Sequence, residues 1–343
     1  ESELEHLIRD AHIDRCVLAY SDLSYETVGH LASRANAAGA DFTLAGAART
    51  MLRSSKPVVA VCASRTGAGK SQTSREVVRT LGAAGLRVAV LRHPMPYGDL
   101  TLQRVQRFAD AGDLERHRVT IEEREEYEPH IAMGSVVWAG VDYAAILEQA
   151  EREADVIVWD GGNNDTSFLH ADVYITVVDP HRAGHEATYY PGETNVRLAD
   201  VVIINKVDTA QAADVQRVRD NVAATNPSTE IEEAESTIEV LSPEVLRDRA
   251  VIAIEDGPTL THGGMAYGAA SLGAMQCGAT LLDARRWAVG ELGQALSAYP
   301  HIDRALPALG YGLVKLSLKG ASGKVLRLVG PGETFGEAVL FLD

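Results

Sequence analysis

VVAVCASRTGAGKS, at residues 58–71, joins an apolar strand to a glycine-rich turn that opens a helix. This arrangement is typical of a phosphate-binding loop, whose glycines let backbone N–H groups close around phosphates at the positive end of the helix. Ser64 replaces the first glycine of the G-x-x-x-x-G-K-[ST] pattern, but the flanking strand and helix favour the motif over a plain turn. The sequence therefore predicts a nucleoside triphosphate site. Its predicted nucleotide contacts are Arg65, Thr66, Gly67, Ala68, Gly69, Lys70, Ser71 and Gln72, with Lys70 also catalytic at the terminal phosphates and Ser71 also a Mg²⁺ ligand.

Alternating apolar and helical segments surround this loop. Such alternation predicts a largely parallel sheet with helices on both faces, in which ligands bind at the carboxyl ends of the strands. A strand at Arg15–Tyr20 and a helix at Ser24–Ala37, capped by Ser24, form an earlier β–α unit. We therefore predict an α/β fold with a doubly wound P-loop core. The predicted strands cover residues 57–63, 87–92, 155–159, 173–178, 201–204 and 251–254, and the predicted helices cover residues 71–82, 100–111, 142–153, 209–225 and 266–276.

The composition indicates a protein that acts on small molecules. The chain has 343 residues, 46% of them hydrophobic, and 32 basic against 48 acidic side chains give a net charge of −16. This charge argues against a nucleic-acid-binding surface. Cys16, Cys62 and Cys277 form no metal-like pair and are interpreted as reduced packing residues. Because the sequence has neither an apolar run of transmembrane length nor a leader pattern, we expect a cytoplasmic protein without a membrane partner, and a homodimer stays open.

Two polar motifs follow predicted strands downstream of the loop. Asp160 begins DGGNND and is a candidate Mg²⁺ ligand, although Asp-Gly and Asn-Asp pairs are also common in turns. Asn205, Lys206 and Asp208 belong to NKVD, which matches the element of GTP-binding proteins whose carboxylate accepts two N–H groups of guanine. The same four residues are compatible with an ordinary loop before a helix. These three residues are predicted nucleotide contacts, and the choice between ATP and GTP stays open on the motifs alone.

Two further segments predict contacts with anions or metal. Arg92 and His93 follow a strand and precede two prolines, and Arg92 is the stronger candidate because a guanidinium can bind phosphate oxygens bidentately. The acidic run at residues 120–130 is usually a solvated helix face, but clustered carboxylates could also hold a second Mg²⁺ ion. The predicted substrate contacts here are Arg92, His93 and Tyr97, with Arg92 also catalytic, and the predicted metal ligands are Glu122 and Glu126.

The long segment at residues 179–195 carries more charged groups than a turn between two strands requires. Arg182 and His185 could bind a second anionic ligand, with Glu193 and Asn195 near the nucleotide. Residues 255–265 again combine acid, hydroxyl and imidazole groups after a strand, with a backbone that could form an anion nest. Arg182 and His185 are therefore predicted to be catalytic and to bind substrate, and Glu193, Asn195 and His262 are predicted substrate contacts.

Several motifs between about Arg15 and Gly312 share one resemblance. They are SRTGAGKSQTSR, RHPMPYGDL, TIEEREEYEPH, WDGGNND, DPHRAGHE, YPGETN, INKVD and EDGPTLTHGGM. At these motifs the chain resembles the cyclic 2,3-diphosphoglycerate synthetase family, within the dethiobiotin-synthetase-like and signal-recognition-type class of P-loop proteins. The resemblance implies an ATP- and Mg²⁺-dependent ligase that closes 2,3-diphosphoglycerate into a cyclic diphosphate and releases ADP and phosphate. It also implies that Lys70 holds ATP, while Arg92, Arg182 and His185 hold the phosphorylated substrate.

The last part of the chain has a different character. Residues 313–343 resemble a fragment of the β-roll of a cyclic-nucleotide-binding domain, without the arginine that holds the cyclic phosphate. We therefore predict a partial N-terminal α/β unit at residues 1–55, a P-loop synthetase domain at residues 56–312, and a short β-rich tail at residues 313–343. Two alternatives to the synthetase stay open: a GTP-dependent switch or metallochaperone-like GTPase, suggested by NKVD, and a nucleotide-binding regulator without turnover, suggested by the tail.

Overall fold

Two compact units make up the chain. The computed structural model describes residues 3–93, 99–162, 164–255, 257–261, 263–286, 288, 290–307, 314–317, 325–329 and 340–342. The first unit comprises Glu1–His117 and Glu126–Ser236, and the second comprises Arg118–Glu125 and Thr237–Asp343.

The first unit alternates strands and helices along the chain, and α6 belongs to it from Glu126 onward. In chain order its elements are α1 (Leu4–Asp10), β1 (Arg15–Val17), β2 (Leu23–Ser24), α2 (Tyr25–Ala38), β3 (Asp41–Thr43), α3 (Ala47–Thr50), β4 (Val58–Ala63), α4 (Lys70–Ala83), β5 (Val88–Arg92), β6 (Gln106–Phe108), α5 (Ala111–His117), α6 (Ile121–Ala132), β7 (Val136–Ala139), α7 (Tyr143–Glu153), β8 (Val156–Asp160), β9 (Val173–Val178), β10 (Tyr189–Tyr190), α8 (Gly192–Leu198), β11 (Val201–Ile204), α9 (Ala212–Thr225) and β12 (Glu230–Glu233).

An eight-stranded sheet forms the centre of this unit, in the order β12-β11-β9-β4-β8-β5-β7-β6. Neighbouring strands run parallel, except that β6 is antiparallel to β7. Strands β5 and β8 are buried along their whole length, as parallel strands covered on both faces must be. Because β4 lies between β8 and β9, the loop after β4 meets the ends of both neighbours at one edge of the sheet. The predicted α/β fold with a largely parallel, doubly wound sheet is confirmed.

Two apolar clusters hold these strands in place. On one side, the rings of Tyr143 and Phe168 stack with centroids 4.0 Å apart, and Trp159 meets Phe168 edge-on at 4.5 Å. On the other, fully buried Ile204 and Val218 join β11 to α9. The strand ends that carry polar residues are therefore fixed by packing on their own strands.

Helix ends follow the local signals in the sequence. The Ser24 hydroxyl accepts a hydrogen bond from the Thr27 N–H at 3.2 Å, which confirms Ser24 as the cap of α2. The helix ends before Gly39, whose φ of 106° is one that glycine adopts readily. Asp142 caps α7 in the same manner, accepting from the Ala145 N–H at 3.0 Å.

The predicted helix at residues 100–111 is wrong. Residues 106–108 form β6, which pairs with β7, and a helix begins only at Ala111. Gln106 and Phe108 are buried whereas Arg107 between them is half-buried, so the burial has the period of two that a strand requires. Its pairing partner, β7, is also absent from the predicted elements. The sequence pattern therefore gave no basis for predicting this short edge strand.

The second unit contains a smaller sheet, in which β14 (Thr280–Leu281) and β15 (Leu306–Pro307) run parallel to β13 (Ala250–Glu255), and β18 (Leu340–Leu342) runs antiparallel to it. The thiols of all three cysteines of the chain are free. None of the helices in the described part of the chain combines the length and apolar character needed to cross a membrane. The elements of this unit are α10 (Pro243–Leu246), β13 (Ala250–Glu255), α11 (Gly257–Thr261), α12 (Ala269–Gln276), β14 (Thr280–Leu281), α13 (Gly290–Ala298), β15 (Leu306–Pro307), β16 (Val314–Ser317), β17 (Val325–Val329) and β18 (Leu340–Leu342).

Candidate active site

The glycine-rich loop has the backbone conformation that phosphate binding requires. Gly67 and Gly69 have φ values of 77° and 107°, and α4 begins directly afterwards at Lys70. A Cβ atom on Gly69 would lie 2.0 Å from the Asn205 Nδ2 atom. The Thr66 hydroxyl is buried and has no hydrogen-bond partner among the described residues. A free hydroxyl beside open backbone N–H groups at a helix N-terminus fits a phosphate group.

We expect Gly69→Ala to abolish nucleotide binding, because a methyl group would collide with Asn205 at an unfavourable φ. Gly82→Ala is the matched control, since it lies in the same helix with nothing within 4 Å of the added Cβ atom. The control should be neutral or stabilising by up to about 1 kcal/mol. Calorimetric titration with nucleotide, together with thermal unfolding, checks both variants. Tight nucleotide binding by Gly69→Ala would contradict the loop assignment.

A buried cluster of charges lies behind the loop, centred on Asp160 at the end of β8. Asp160 is fully buried, and its Oδ1 atom accepts a hydrogen bond from the ammonium group of Lys70. Its Oδ2 atom accepts from Arg92 at 2.7 Å and lies 3.0 Å from Nε2 of His130. Arg92 also contacts Glu126 at 2.5 Å. Two cations and two carboxylates therefore compensate each other in this cluster.

Electrostatics fix the charge of Asp160. Burial alone would raise the pKa of this carboxyl, but the charges of Arg92 and Lys70, together with the hydrogen bond from His130, hold its pKa well below the ordinary range. Burial would also lower the pKa of Arg92, yet Asp160 and Glu126 raise it instead. Both groups are therefore ionised at neutral pH. An ionised carboxylate beside the terminal-phosphate lysine is the ligand that a nucleotide-bound Mg²⁺ ion requires.

The donor set fits Mg²⁺ only as part of a nucleotide complex. Among the described residues, no group of three or more His, Cys, Asp and Glu side chains could hold a metal by itself. Mg²⁺ usually takes one or two protein ligands and completes its shell with phosphates and water. Ser71, in the first turn of α4, and Asp160 would be those protein ligands. Of the predicted second metal site, Glu126 is paired with Arg92, and the side chain of Glu122 lies outside the described residues.

Three side chains from other loops grip the backbone of the phosphate loop. Arg182 donates to the Thr66 carbonyl at 2.8 Å, Asn205 donates to the Ala68 carbonyl at 2.9 Å, and Lys206 donates to the Gly67 carbonyl at 2.6 Å. Arg182 and Lys206 also contact Asp179, at 3.0 and 2.9 Å. The predicted substrate residue Arg182 and the first two residues of NKVD thus support the loop in this structure.

Arg65, within the phosphate loop, is enclosed by other side chains. It donates to Asp22 at 2.6 Å, contacts Nδ1 of His185, and lies 3.6 Å above the Tyr189 ring centroid. Burial, followed by the charges of Arg65 and Arg182, lowers the pKa of His185 to about 4. His185 is therefore neutral near pH 7, and adds no positive charge for a second anionic ligand.

His185 should make the protein less stable as the pH falls. Its pKa is about 4 in the folded chain against an ordinary value of 6.5, so between these values the unfolded chain binds more protons. The free energy of unfolding should therefore decrease as the pH falls from 6.5 toward 4, and His185→Gln should reduce that decrease. Urea denaturation at several pH values measures the effect. Equal slopes for His185→Gln and wild type would contradict this expectation.

Of the other predicted contacts, His93 and Asp208 have partners within the protein, and two lie outside the described residues. The His93 Nε2 atom lies 3.0 Å from the Gly162 nitrogen and 2.8 Å from Asp165 Oδ2, so His93 connects the ends of β5 and β8. One carboxylate oxygen of Asp208 accepts from the Ser236 N–H at 2.9 Å. Tyr97 and His262 lie outside the described residues.

Asn195 and Glu193, both predicted substrate contacts, bind protein groups. Fully buried Asn195 donates to the carbonyls of Ala63 at 3.0 Å and Asn164 at 2.8 Å, beneath the start of the phosphate loop. Glu193 accepts from Arg197, one turn later in α8, at 2.9 Å. The structure brings Asn195 to the loop as a support, whereas Glu193 pairs with Arg197 and with the hydroxyl of Tyr25.

Sequence reasoning missed three residues of this region: His130, Asn164 and Asp179. Asn164 donates to the Ser64 carbonyl at 3.1 Å, and Asp179 joins the two cations that hold the loop. Asn164 and Asp179 belong to motifs noted after strands, which was the available signal for them. His130 ends the acidic run, and only its tertiary contact with Asp160 distinguishes it.

The site combines a glycine-rich turn, a buried lysine at the start of the following helix, and an aspartate at the end of a neighbouring strand. These three features together define a P-loop nucleotide-binding protein. The nucleotide-binding domain of the CobW/HypB/UreG family matches residues 147–233. Arginine synthetase ArcE of Thermococcus kodakarensis is 56% identical over 313 residues, which are 91% of this chain and 70% of that protein. The chain therefore belongs to the family of this arginine synthetase.

Solved structures of other P-loop proteins are also similar to parts of the chain. The hydrogenase maturation factor HypB of Archaeoglobus fulgidus is 17% identical, with a TM-score of 0.34, over 55% of this chain and 84% of that one. LpxK of Aquifex aeolicus, in complex with ATP, is 16% identical, with a TM-score of 0.34, over 53% of this chain and 56% of that one.

Proposed function

We propose that this chain is an ATP-dependent synthetase whose product is arginine. The observation that carries the proposal is the 56% identity with an arginine synthetase over 91% of the chain. The Lys70 and Asp160 pair supports the ATP-dependent part, since these residue types serve the terminal phosphates and Mg²⁺ in P-loop enzymes. Mg²⁺, when bound, would neutralise charge that develops on the phosphates.

Charge balance supports an uncharged reacting group on the acceptor. The cations expected to hold 2,3-diphosphoglycerate already have anionic partners, because Arg92 contacts Asp160 and Glu126, and Arg182 contacts Asp179. His185, with a pKa of about 4, brings no charge near pH 7. A substrate with two phosphates and a carboxylate needs cations in excess of carboxylates. A neutral ureido group needs only hydrogen bonds.

The proposed reaction starts from citrulline, which differs from arginine by a ureido oxygen in place of a guanidinium nitrogen. The ureido oxygen attacks the γ-phosphorus of ATP and ADP leaves. Ammonia then adds to the activated carbon, the C–O bond breaks, and the oxygen departs within inorganic phosphate. Citrulline, ATP and ammonia thus give arginine, ADP and phosphate. Lys70 would exchange Asp160 for the transferring phosphoryl group, and positioning by the enclosed loop would supply most of the catalysis.

ATP is the proposed nucleotide, although NKVD matches the guanine-reading element. Guanine recognition needs both oxygens of the Asp208 carboxylate for two N–H donors, and one oxygen already accepts the Ser236 N–H. Asn205 and Lys206 also have a role without the base, because they hold the phosphate loop. A GTP-dependent switch is therefore the weaker reading of this motif.

Cyclic 2,3-diphosphoglycerate synthesis is the second candidate. The motifs after the strands, including TIEEREEYEPH and DPHRAGHE, resemble that family and favour this reaction. In that case one substrate phosphate would attack the γ-phosphorus of ATP, and the other would displace inorganic phosphate to form the internal anhydride. Arg92 and Arg182 would then have to leave their carboxylate partners to hold the substrate.

The test is to incubate purified protein and Mg²⁺ with ATP or GTP, adding either citrulline with ammonium or 2,3-diphosphoglycerate. We expect ADP, phosphate and arginine to form in equal amounts only with ATP, citrulline and ammonium. A new diphosphate resonance in the phosphorus NMR spectrum would support the second candidate instead. GTP turnover that is indifferent to both acceptors would support a switch, and binding without turnover would support a regulator.

A further inference from the structure

We infer that His130 is a positioning residue for Asp160, and that it sets the affinity of the nucleotide site for Mg²⁺. The inference rests on the proposed function only in its use of Mg²⁺ and ATP. His130 lies near the end of α6, is 1% exposed, and forms no hydrogen bond with the phosphate loop among the described residues. Its Nε2 atom lies 3.0 Å from Asp160 Oδ2.

The hydrogen bond fixes the role of the Nε2 atom. The Oδ2 atom of the Asp160 carboxylate also accepts from Arg92, so Nε2 is the donor and its hydrogen points to Asp160. The other ring nitrogen, Nδ1, is buried and has no hydrogen-bond partner among the described residues. A buried polar atom without a partner lowers the stability of the folded state. The histidine thus contributes through its contact with Asp160, and it does so at a cost to stability.

The partners of Asp160 differ in what happens when a nucleotide binds. Lys70 holds Oδ1, and the phosphates compete for the ammonium group of this lysine. Arg92 and His130 both hold Oδ2, and neither lies in the phosphate loop. Binding should therefore release Oδ1 while Oδ2 stays fixed. The carboxylate then presents one free oxygen in a set orientation, as a Mg²⁺ ligand must.

Arg92 and His130 are not equivalent in this role. Arg92 is shared between Asp160 and Glu126, whereas within the described part of the chain the His130 ring is hydrogen-bonded to Asp160 alone. Groups that hold a metal ligand from behind typically change metal affinity about 10–100-fold when they are replaced. His130 is thus the replacement that weakens the orientation of Asp160 while both cations stay in place.

The experiment measures binding of ATP by calorimetry in EDTA, and then the Mg²⁺ concentration that half-saturates the complex. We expect His130→Leu to raise that Mg²⁺ concentration about 10–100-fold, while binding of ATP in EDTA changes less than about threefold. His130→Gln should behave like wild type, because its amide nitrogen can occupy the position of Nε2. His130→Asn, whose amide nitrogen corresponds to Nδ1, should behave like the leucine variant.

His117→Leu is the control, because this half-buried histidine of α5 meets the Phe108 ring edge-on, with ring centroids 5.1 Å apart, and its loss should leave Mg²⁺ affinity unchanged. Two results would overturn the inference. One is a wild-type Mg²⁺ affinity in His130→Leu, and the other is a loss of ATP affinity in this variant that is equally large in EDTA and in Mg²⁺. If His130→Leu does not fold, the test is the comparison of His130→Gln with His130→Asn. Equal Mg²⁺ affinities for these two variants would overturn the inference. Because binding is measured, the result is independent of which acceptor the enzyme uses.

Discussion

Lys70→Ala should abolish turnover while the protein stays folded. The Lys70 ammonium group is the buried cation that begins α4, and the proposed chemistry needs it at the transferring phosphoryl group. Loss of such a group lowers kcat by at least about a thousandfold. Asp160 keeps Arg92 and His130 in the variant, so the carboxylate stays compensated. Steady-state ADP formation and circular dichroism measure the two expectations.

Lys56→Ala is the matched control for this variant. Lys56 precedes the same strand, β4, at the end away from the phosphate loop. We expect this control to keep wild-type turnover. Substantial ADP formation by Lys70→Ala, with a folded spectrum, would mean that the loop does not hold the triphosphate in the way proposed.

Asp160→Asn should cause the largest loss of stability of any single change at the site. The carboxylate is fully buried between Lys70 and Arg92, and asparagine would leave two cations without their shared anion. Removal of one partner from a buried ion pair costs about 3–5 kcal/mol. We expect the free energy of unfolding, measured by urea denaturation, to fall by about that amount, and turnover to be lost with it.

Two comparisons separate charge from packing. Asp155→Asn removes a carboxylate just before the same strand, where the solvent-screened pair with Arg87 contributes little to stability. Asp160→Asn combined with Lys70→Met should recover part of the lost stability, because Lys70, whose anionic partner among the described residues is Asp160, is the cation left uncompensated, but it should not recover turnover. If Asp160→Asn were as stable as Asp155→Asn, the buried cluster would not have the electrostatic role assigned to it.

The sequence predicted those parts of the fold and site that depend on local pattern. The apolar run before Ser64 and the glycines after it specify strand, turn and helix within 14 residues, without help from distant contacts. The same holds for Asp160, which was expected at a strand end and lies there because Trp159 and its neighbours are buried in β8. Ser24 could be predicted as a cap since its hydrogen bond spans three residues.

Features that depend on partners distant in sequence could not be predicted in this way. The contact between His130 and Asp160 joins residues 30 positions apart, and nothing in the local pattern of α6 marks that histidine. Arg182 is predicted to bind substrate because of its charge, but its guanidinium group donates to the carbonyl of Thr66, 116 positions away in the sequence. The short strand β6 was predicted as helix because its burial becomes regular only beside β7.

Charge pairing changes how the site residues are understood. In the sequence, the Arg, Lys and His side chains of these loops predict a binding site for a polyanion. In the folded chain, most of those cations are paired with a carboxylate. We expect a nucleotide to bind Lys70 nevertheless, because its phosphates would replace one carboxylate oxygen of Asp160 as the partner of the ammonium group. A second, highly charged substrate would have to displace several buried ion pairs at once, whereas a neutral ureido group would displace none.

The most direct measurement is the fate of the ureido oxygen. Citrulline labelled with ¹⁸O in the ureido group would be incubated with the protein, ATP, Mg²⁺ and ammonium, and the phosphate examined by phosphorus NMR. The account predicts arginine together with phosphate that carries one ¹⁸O atom per molecule formed, seen as an isotope shift of the resonance. Phosphate without the label, or its release without any arginine, would contradict the proposed transfer of the γ-phosphoryl group to the ureido oxygen.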